Sequence, residues 1–254
     1  MNKDIELSII IISKIIDESI NNCLKSCKFE KIKCEYIIVS PFIEEAQLNF
    51  IKNNKDTVKF ISDKSQGVYS AINDGLKNCK GKYILLLHAD NFLTDIGPKV
   101  ITKYINLNLG SFQLGCYFQS KNGTFKKFLF SKIKTLNLIM GLYPPHPGLI
   151  LKKTDFQNIG YYKNVYPICA DFDYYIKIKK NNVRIIYDKA SVIVSLEGGI
   201  STQGIKSVKK IIGERVSILE NHFGSNRIFY IILILIGYLY KFVYRLCQRP
   251  KFIL

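Results

Sequence analysis

No acidic residue occurs between Ile96 and Thr154, although the 254-residue chain carries 20 of them. The deficit is part of a wider asymmetry. Residues 1–95 hold 13 Lys and Arg against 13 Asp and Glu, whereas residues 96–254 hold 24 against 7. The whole formal charge of +17 therefore sits in the later part of the chain. That implies either an anionic partner, membrane or nucleic acid, or a set of merely solvated lysines. No helix-turn-helix, zinc-finger or aromatic RNA-binding motif is present, so a nucleic-acid partner would rest on charge alone and none is expected.

Paired metal-ligand spacing is missing among the cysteines. The seven, at 23, 27, 34, 79, 116, 169 and 247, read as small buried hydrophobes in a reducing compartment. A secretory leader is not expected either, because Asp4 and Glu6 precede an apolar run of only a few residues, which fits a first strand. The longest apolar run, 228–240, has thirteen residues, short of the roughly 20 that a spanning helix needs. Arg227, Arg245, Arg249 and Lys251 flank it with no acid. Such a segment suits a helix lodged at the headgroup level of a membrane or a short re-entrant anchor; a core helix or a homodimer interface is the alternative. There is no internal repeat and no low-complexity linker. The expected organisation is one domain over 1–224 and a membrane-associating helix over 225–254.

What is present is an alternation of strand and helix patterns. Apolar runs at 7–12, 34–39, 57–61 and 83–87 read as strands. Between them Ile16, Ile20, Leu24 and Cys27, then Ile43, Ala46, Phe50 and Ile51, then Val68, Ala71, Ile72, Leu76 and Cys79 recur at helical spacing. This predicts an α/β fold with a mostly parallel central sheet, right-handed crossovers and helices on both faces. Gly81 stands where a helix C-cap belongs. Further on, the pattern predicts a helix over 96–109, a strand over 111–118, a basic amphipathic helix over 125–140, a strand over 149–152 and a helix capped by Thr154. A helix over 172–180, strands over 183–187 and 191–196, and a helix through Ile205, Val208, Ile211, Ile212, Val216 and Leu219 complete the domain.

The stretch Tyr83 to Leu87 is the organising one. It reads as a strand buried on both faces, and its carboxyl end delivers His88, Asp90 and Asn91 to the place where ligands bind in open α/β sheets. A carboxylate there can hold a divalent metal, which can hold a diphosphate. His146 is fixed among three prolines, and Gly198 and Gly199 form a loop that lets backbone approach a ligand closely.

Taken in order, Ser62-Asp63-Lys64-Ser65-Gln66-Gly67-Val68-Tyr69, Leu87-His88-Ala89-Asp90-Asn91, Pro145-His146-Pro147, Ala170-Asp171-Phe172-Asp173 and Gly198-Gly199-Ile200-Ser201 resemble the family 2 glycosyltransferases of GT-A fold, particularly bacterial enzymes that build surface polysaccharides. The similarity spans most of residues 7–201. It implies a metal-dependent, inverting transfer of a sugar from a nucleotide-sugar donor to a glycan or lipid-linked acceptor. The enzyme would be cytoplasmic and peripherally associated with the inner membrane.

The resemblance implies Asp171 as catalytic base, and Asp90 with His88 as the site of Mn²⁺ or Mg²⁺. His88 is otherwise a hydrogen-bonding residue at a strand end. Donor contacts would come from Ser13, Ser40, Asp63, Ser65, Gly67, Asn73 and Asp90, with Asn73 alternatively a buried brace. Phosphate or acceptor contacts would come from His146, Asp173, Gly198 and Gly199, with Asp173 alternatively orienting the site or capping its helix. The first strand of the family usually ends Pro-x-Tyr-Asn and the second in Asp, whereas this chain has Ser13-Lys14-Ile15-Ile16-Asp17 and Val39-Ser40-Pro41. These departures sustain a rival reading, a catalytically inactive sugar-nucleotide-binding scaffold in a polysaccharide-assembly complex.

Overall fold

The computed structural model describes residues 4–15, 17–41, 58–62, 67–120, 122–128, 132–196 and 205–247. Nine strands form one sheet in the order β3-β2-β1-β4-β8-β6-β9-β5, with β7 added beside β6. The half made first in sequence is parallel. There β1 (Leu7–Ile12) lies between β2 (Cys34–Ser40) and β4 (Tyr83–His88), with β3 (Val58–Ser62) outside β2. The other half is mixed. β8 (Leu149–Lys152) runs antiparallel to both β4 and β6 (Phe112–Gln119), β9 (Ile186–Leu196) runs parallel to β6, and β5 (Asn91–Leu93) runs antiparallel to β9.

Alternating side chains of the central strands build two cores, because successive residues of a strand point to opposite faces. Ile10, Ile12, Ile84 and Leu86 pack on one side with the helices α2 (Val68–Asn78), α6 (Ala170–Lys180), α7 (Ile205–Phe223) and α8 (Arg227–Cys247). Leu7, Ile9, Ile11, Leu85 and Leu87 pack on the other with α1 (Glu18–Ser26) and α3 (Gly97–Asn106). Each such side chain contributes about 1.5–3 kcal/mol by leaving water, which is why the unbroken apolar runs at 7–12 and 83–87 could belong only to the middle of the sheet.

Several expectations need correction. The segment 125–140 is not one helix. Phe125–Lys127 forms β7, antiparallel to β6, and among the described residues of the segment only Thr135–Ile139 is helical (α4). The turn is closed by Gly123, whose φ is +76°, and Phe128 meets Phe118 edge-on at 5.8 Å between ring centroids, so a cross-strand pair supplies the partner that the helical spacing of the apolar residues suggested. Gly81 caps no helix, since α2 ends at Asn78 and its C-cap is Cys79. It lies against β1, where an added Cβ would come within 2.5 Å of the Ser8 nitrogen. Thr154 lies inside α5 (Lys153–Ile159), whose N-cap position is Lys152. Of the strands expected at 183–187 and 191–196, residues 186–187 and 191–196 belong to one strand, β9, with register shifts opposite Gly115, and Val183 to Ile185 are in no strand. Cys34 is half-buried and Cys247 exposed, unlike the other five cysteines. The helix expected after Pro41 lies outside the described residues.

The last helix docks along one stripe. Tyr230, Ile234 and Gly237 are its buried residues, one face of an α-helix by spacing. At Gly237 the helix presses on the end of α4 so closely that any Cβ would overlap the Met140 carbonyl oxygen.

Candidate active site

The carboxyl end of β4 is shaped by Asn91. Its Oδ1 accepts the His88 N–H at 3.0 Å, and its Nδ2 donates to Ser195 Oγ at 3.1 Å and to Asp90 Oδ1 at 3.3 Å. The chain is thereby folded back at once into β5, which leaves His88 and Asp90 on the lip of a cleft of about 760 Å³. Burial lowers the pKa of His88, against the pull of the Asp90 carboxylate in the other direction.

His146 enters from a 3₁₀ turn (His146–Gly148) that sits tight on β6, because a side chain at Gly148 would overlap the Leu114 carbonyl. Its Nε2 meets the Tyr162 hydroxyl at 2.7 Å. Burial, and then the neighbouring His88, push it down to about 3, so this imidazole is neutral at physiological pH.

Asp171 occupies the first turn of α6, and its Oδ1 accepts the Phe172 N–H at 2.7 Å. Burial raises its pKa. The Arg215 guanidinium, the Phe172 N–H, the Tyr69 hydroxyl and the Lys241 ammonium all pull it back. A carboxylate raised in this way is a better proton acceptor.

His88, Asp90, Asn91, His146 and Asp171 thus line the same cleft. Other expected site residues lie elsewhere. Asn73 is buried and clasps Tyr162 through both main-chain groups. Asp173, fully buried, faces the opposite way and pairs with His222 Nε2 at 2.8 Å and with Lys163 Nζ at 3.7 Å. Ser13 Oγ bonds the Ile15 carbonyl and Ser40 Oγ reaches the Lys14 carbonyl at 3.5 Å; neither lines the cleft. Gly67 is the N-cap position of α2, where the following Val68, Tyr69 and Ile72 reach the cleft instead. Asp63, Ser65, Gly198 and Gly199 lie outside the described residues.

Among the described residues no three His, Cys, Asp or Glu side chains converge as a ready-made metal cage. The donors offered are one carboxylate, Asp90, and one neutral imidazole, His88. That set fits a divalent cation that takes the rest of its shell from water and substrate oxygens, the habit of Mg²⁺ and, with an imidazole, of Mn²⁺.

The cleft has a wall that the sequence reading missed. Arg215 on α7 and Lys241, Tyr244 and Arg245 on α8 line it, together with Tyr69 and Tyr143. Two signals pointed there: Arg215 interrupts the apolar stripe Ile211, Ile212, Val216 and Leu219, and Lys241 interrupts the apolar run of the last helix.

Comparison with known proteins accords with this geometry. A family model, Glycosyl transferase family 2, matches residues 8–159. Comparison with curated protein sequences gives no match. Among solved structures, residues 1–349 of S. aureus TarS in complex with UDP-GlcNAc superpose with a TM-score of 0.67 at 15% identity, covering 94% of this chain and 73% of that one. The mannosyltransferase PcManGT from Pyrobaculum calidifontis, in complex with GDP-Man and Mn²⁺, superposes with a TM-score of 0.59 at 11% identity, covering 98% and 77%. At these identities the likeness is one of fold. With the family matched over more than half of its length, the chain belongs to glycosyl transferase family 2 and is a glycosyltransferase of GT-A fold.

Proposed function

We propose that the chain moves one sugar, with inversion, from a nucleotide-sugar donor to a lipid-linked glycan acceptor at the cytoplasmic face of a membrane, as a step of surface-polysaccharide synthesis. The observation that carries this reading is that Asp90 and Asp171, on different elements, open into one cleft. TarS is described with UDP and UDP-GlcNAc, and PcManGT with GDP-Man and Mn²⁺, which supports a nucleotide-sugar donor and a divalent cation here.

The acceptor hydroxyl attacks the anomeric carbon from the Asp171 side. Asp171 takes the hydroxyl proton as the new C–O bond forms, and the bond to the donor phosphate breaks on the opposite face with its electron pair leaving on the phosphate oxygen. A divalent cation held by Asp90 and His88 would supply positive charge to that departing diphosphate. His146, neutral and fixed by Tyr162, serves as a hydrogen-bonding wall of the cleft. In this reading residues 1–224 form the catalytic unit, and residues 225–254 its membrane-associating helix.

Asp171→Asn keeps the shape and removes the base. Product formation is expected to fall by about 10²- to 10⁴-fold with nucleotide-sugar affinity, measured by calorimetry, unchanged within about twofold. Retained transfer would sink the assignment. The rival, an inactive scaffold, draws on Ser13 and Ser40 being engaged with their own backbone, and it requires that the wild-type chain bind donor with no turnover at all.

A further inference from the structure

Three basic side chains from the last two helices line the cleft, and among the described residues none of them forms a salt bridge. Arg215 is 8% exposed. Its Nη2 donates to the Tyr143 hydroxyl at 3.1 Å, its guanidinium lies over the rings of Tyr143, Phe172 and Tyr238 at 5.4–5.7 Å, and its buried Nε has no partner among the described residues. Lys241 donates to the Gly141 carbonyl at 2.6 Å. Arg245 follows one turn later on the same helix. Among the described residues none of the three has a carboxylate within salt-bridge distance. Cations gathered in a recess without counter-charge repel one another and lose hydration, a cost that a bound anion reverses.

Their position selects the anion. The Arg215 guanidinium lies 5.6 Å from the ring centroid of Phe172, the residue that follows Asp171, so the cluster adjoins the end of the cleft that holds the base. The helix that carries Lys241 and Arg245 also exposes Ile232, Leu235, Leu239 and Phe242. Cationic and apolar faces thus lie side by side on one rod.

We infer that Arg215, Lys241 and Arg245 form a phosphate subsite on the acceptor side of the cleft, for an acceptor whose sugar or hydroxyl is joined through phosphate to an apolar chain. The inference rests on the membrane-side transfer proposed above and adds the acceptor class. The acceptor's apolar chain runs along the exposed face of α8, its phosphate sits between the two arginines and the lysine, and its reacting hydroxyl reaches Asp171.

The test uses the full chain, with citronellyl phosphate and citronellol as probes in calorimetry. The phosphate is expected to bind at least about tenfold more tightly than the alcohol, and Lys241→Gln and Arg245→Gln each to weaken it by about tenfold. Lys241→Arg is expected to recover most of the loss, which a purely structural role would not produce. Equal binding of phosphate and alcohol, or binding unmoved by the Gln variants, overturns the subsite. A panel of nucleoside diphosphates with Mn²⁺ separates the two phosphate sources: if the Gln variants weaken those ligands as much as citronellyl phosphate, the cations serve the donor and the acceptor assignment fails. Asp171→Asn is expected to keep phosphate binding, so a loss of transfer and a loss of this site are read apart.

Discussion

Asn73 holds Tyr162 by both of its main-chain groups, with Nδ2 donating to the Tyr162 carbonyl and Oδ1 accepting the Tyr162 N–H, each at 2.9 Å. The Nδ2 also donates to Asn164 Oδ1 at 3.2 Å. This side chain replaces a stretch of sheet pairing for a loop that has none, and it positions the ring whose hydroxyl holds His146. Truncation in Asn73→Ala strands two buried backbone groups and is expected to cost about 2 kcal/mol or more. Chemical denaturation measures this directly; a loss under about 0.5 kcal/mol would mean that the loop is held by other contacts.

Among the described residues Asp90 is the only carboxylate at the end of β4 that faces the cleft. Asp90→Asn is expected to raise the Mn²⁺ concentration giving half-maximal donor binding by about 10- to 100-fold, and His88→Ala by a smaller factor. Titrating Mn²⁺ into protein with a nucleoside diphosphate, after chelation, reads both shifts. An unchanged Mn²⁺ requirement in Asp90→Asn would place the cation elsewhere.

The exposed side of α8 carries Ile232, Leu235, Leu239 and Phe242 at 51%, 51%, 63% and 60% exposure, with arginines at both ends of the helix. Such an amphipathic surface with basic flanks binds anionic lipid interfaces. Because Tyr230, Ile234 and Gly237 are packed on the protein, only the outer face of α8 is available for the membrane contact proposed above. Replacing the four residues together by Ser is expected to abolish flotation with vesicles containing anionic lipid. If flotation persists, or if a dimer seen in sedimentation dissociates instead, the face serves a second copy of the chain.

Lys241 is pushed down to about 7 from 10.5 by burial, with the Arg215 and Arg245 guanidinium groups adding repulsion against the weaker pull of Asp171. Between those two values the unfolded chain binds a proton that the folded chain does not, so this group makes the fold more stable as pH rises through the window. Below about pH 7 both states are protonated, and the fold bears the full cost of the buried charge. Lys241→Met is expected to raise the thermal midpoint at pH 6 and to narrow the gap to wild type by about pH 9. A gap that does not shrink would show that the lysine is ionised throughout.

The central strands were legible because a strand buried on both faces leaves a mark that needs no partner to recognise, an unbroken β-branched or leucine-rich run. The helices α2, α3, α6 and α7 were legible from apolar spacing. Where local spacing served two structures equally, it misled. The apolar residues of 125–140 match a helix, yet Gly123 turns the chain and β6 offers backbone hydrogen bonds that a helix would have to supply alone. The close approach of Gly81 to β1, the bulge opposite Gly115 and the depth of Asp173 all depend on residues far away in sequence.

By itself, the order of residues determined which segments leave water, that the strand ending at His88 lies in the middle of a sheet, and that the excess of positive charge lies in residues 96–254. Only tertiary structure decided which charged groups face one another. Asp171 and Asp173 are two positions apart, but the 100° step of an α-helix turns them to different sides, one into the cleft and one toward His222. Arg215 and Lys241 belong to separate helices, and both converge on Gly141, where an added Cβ would meet Arg215 Nη1 at 2.7 Å and whose carbonyl accepts from Lys241 Nζ at 2.6 Å. Hydrophobic periodicity records how much of a segment is buried; it carries no record of what the segment is buried against, and the chemistry of the cleft is set by that second quantity.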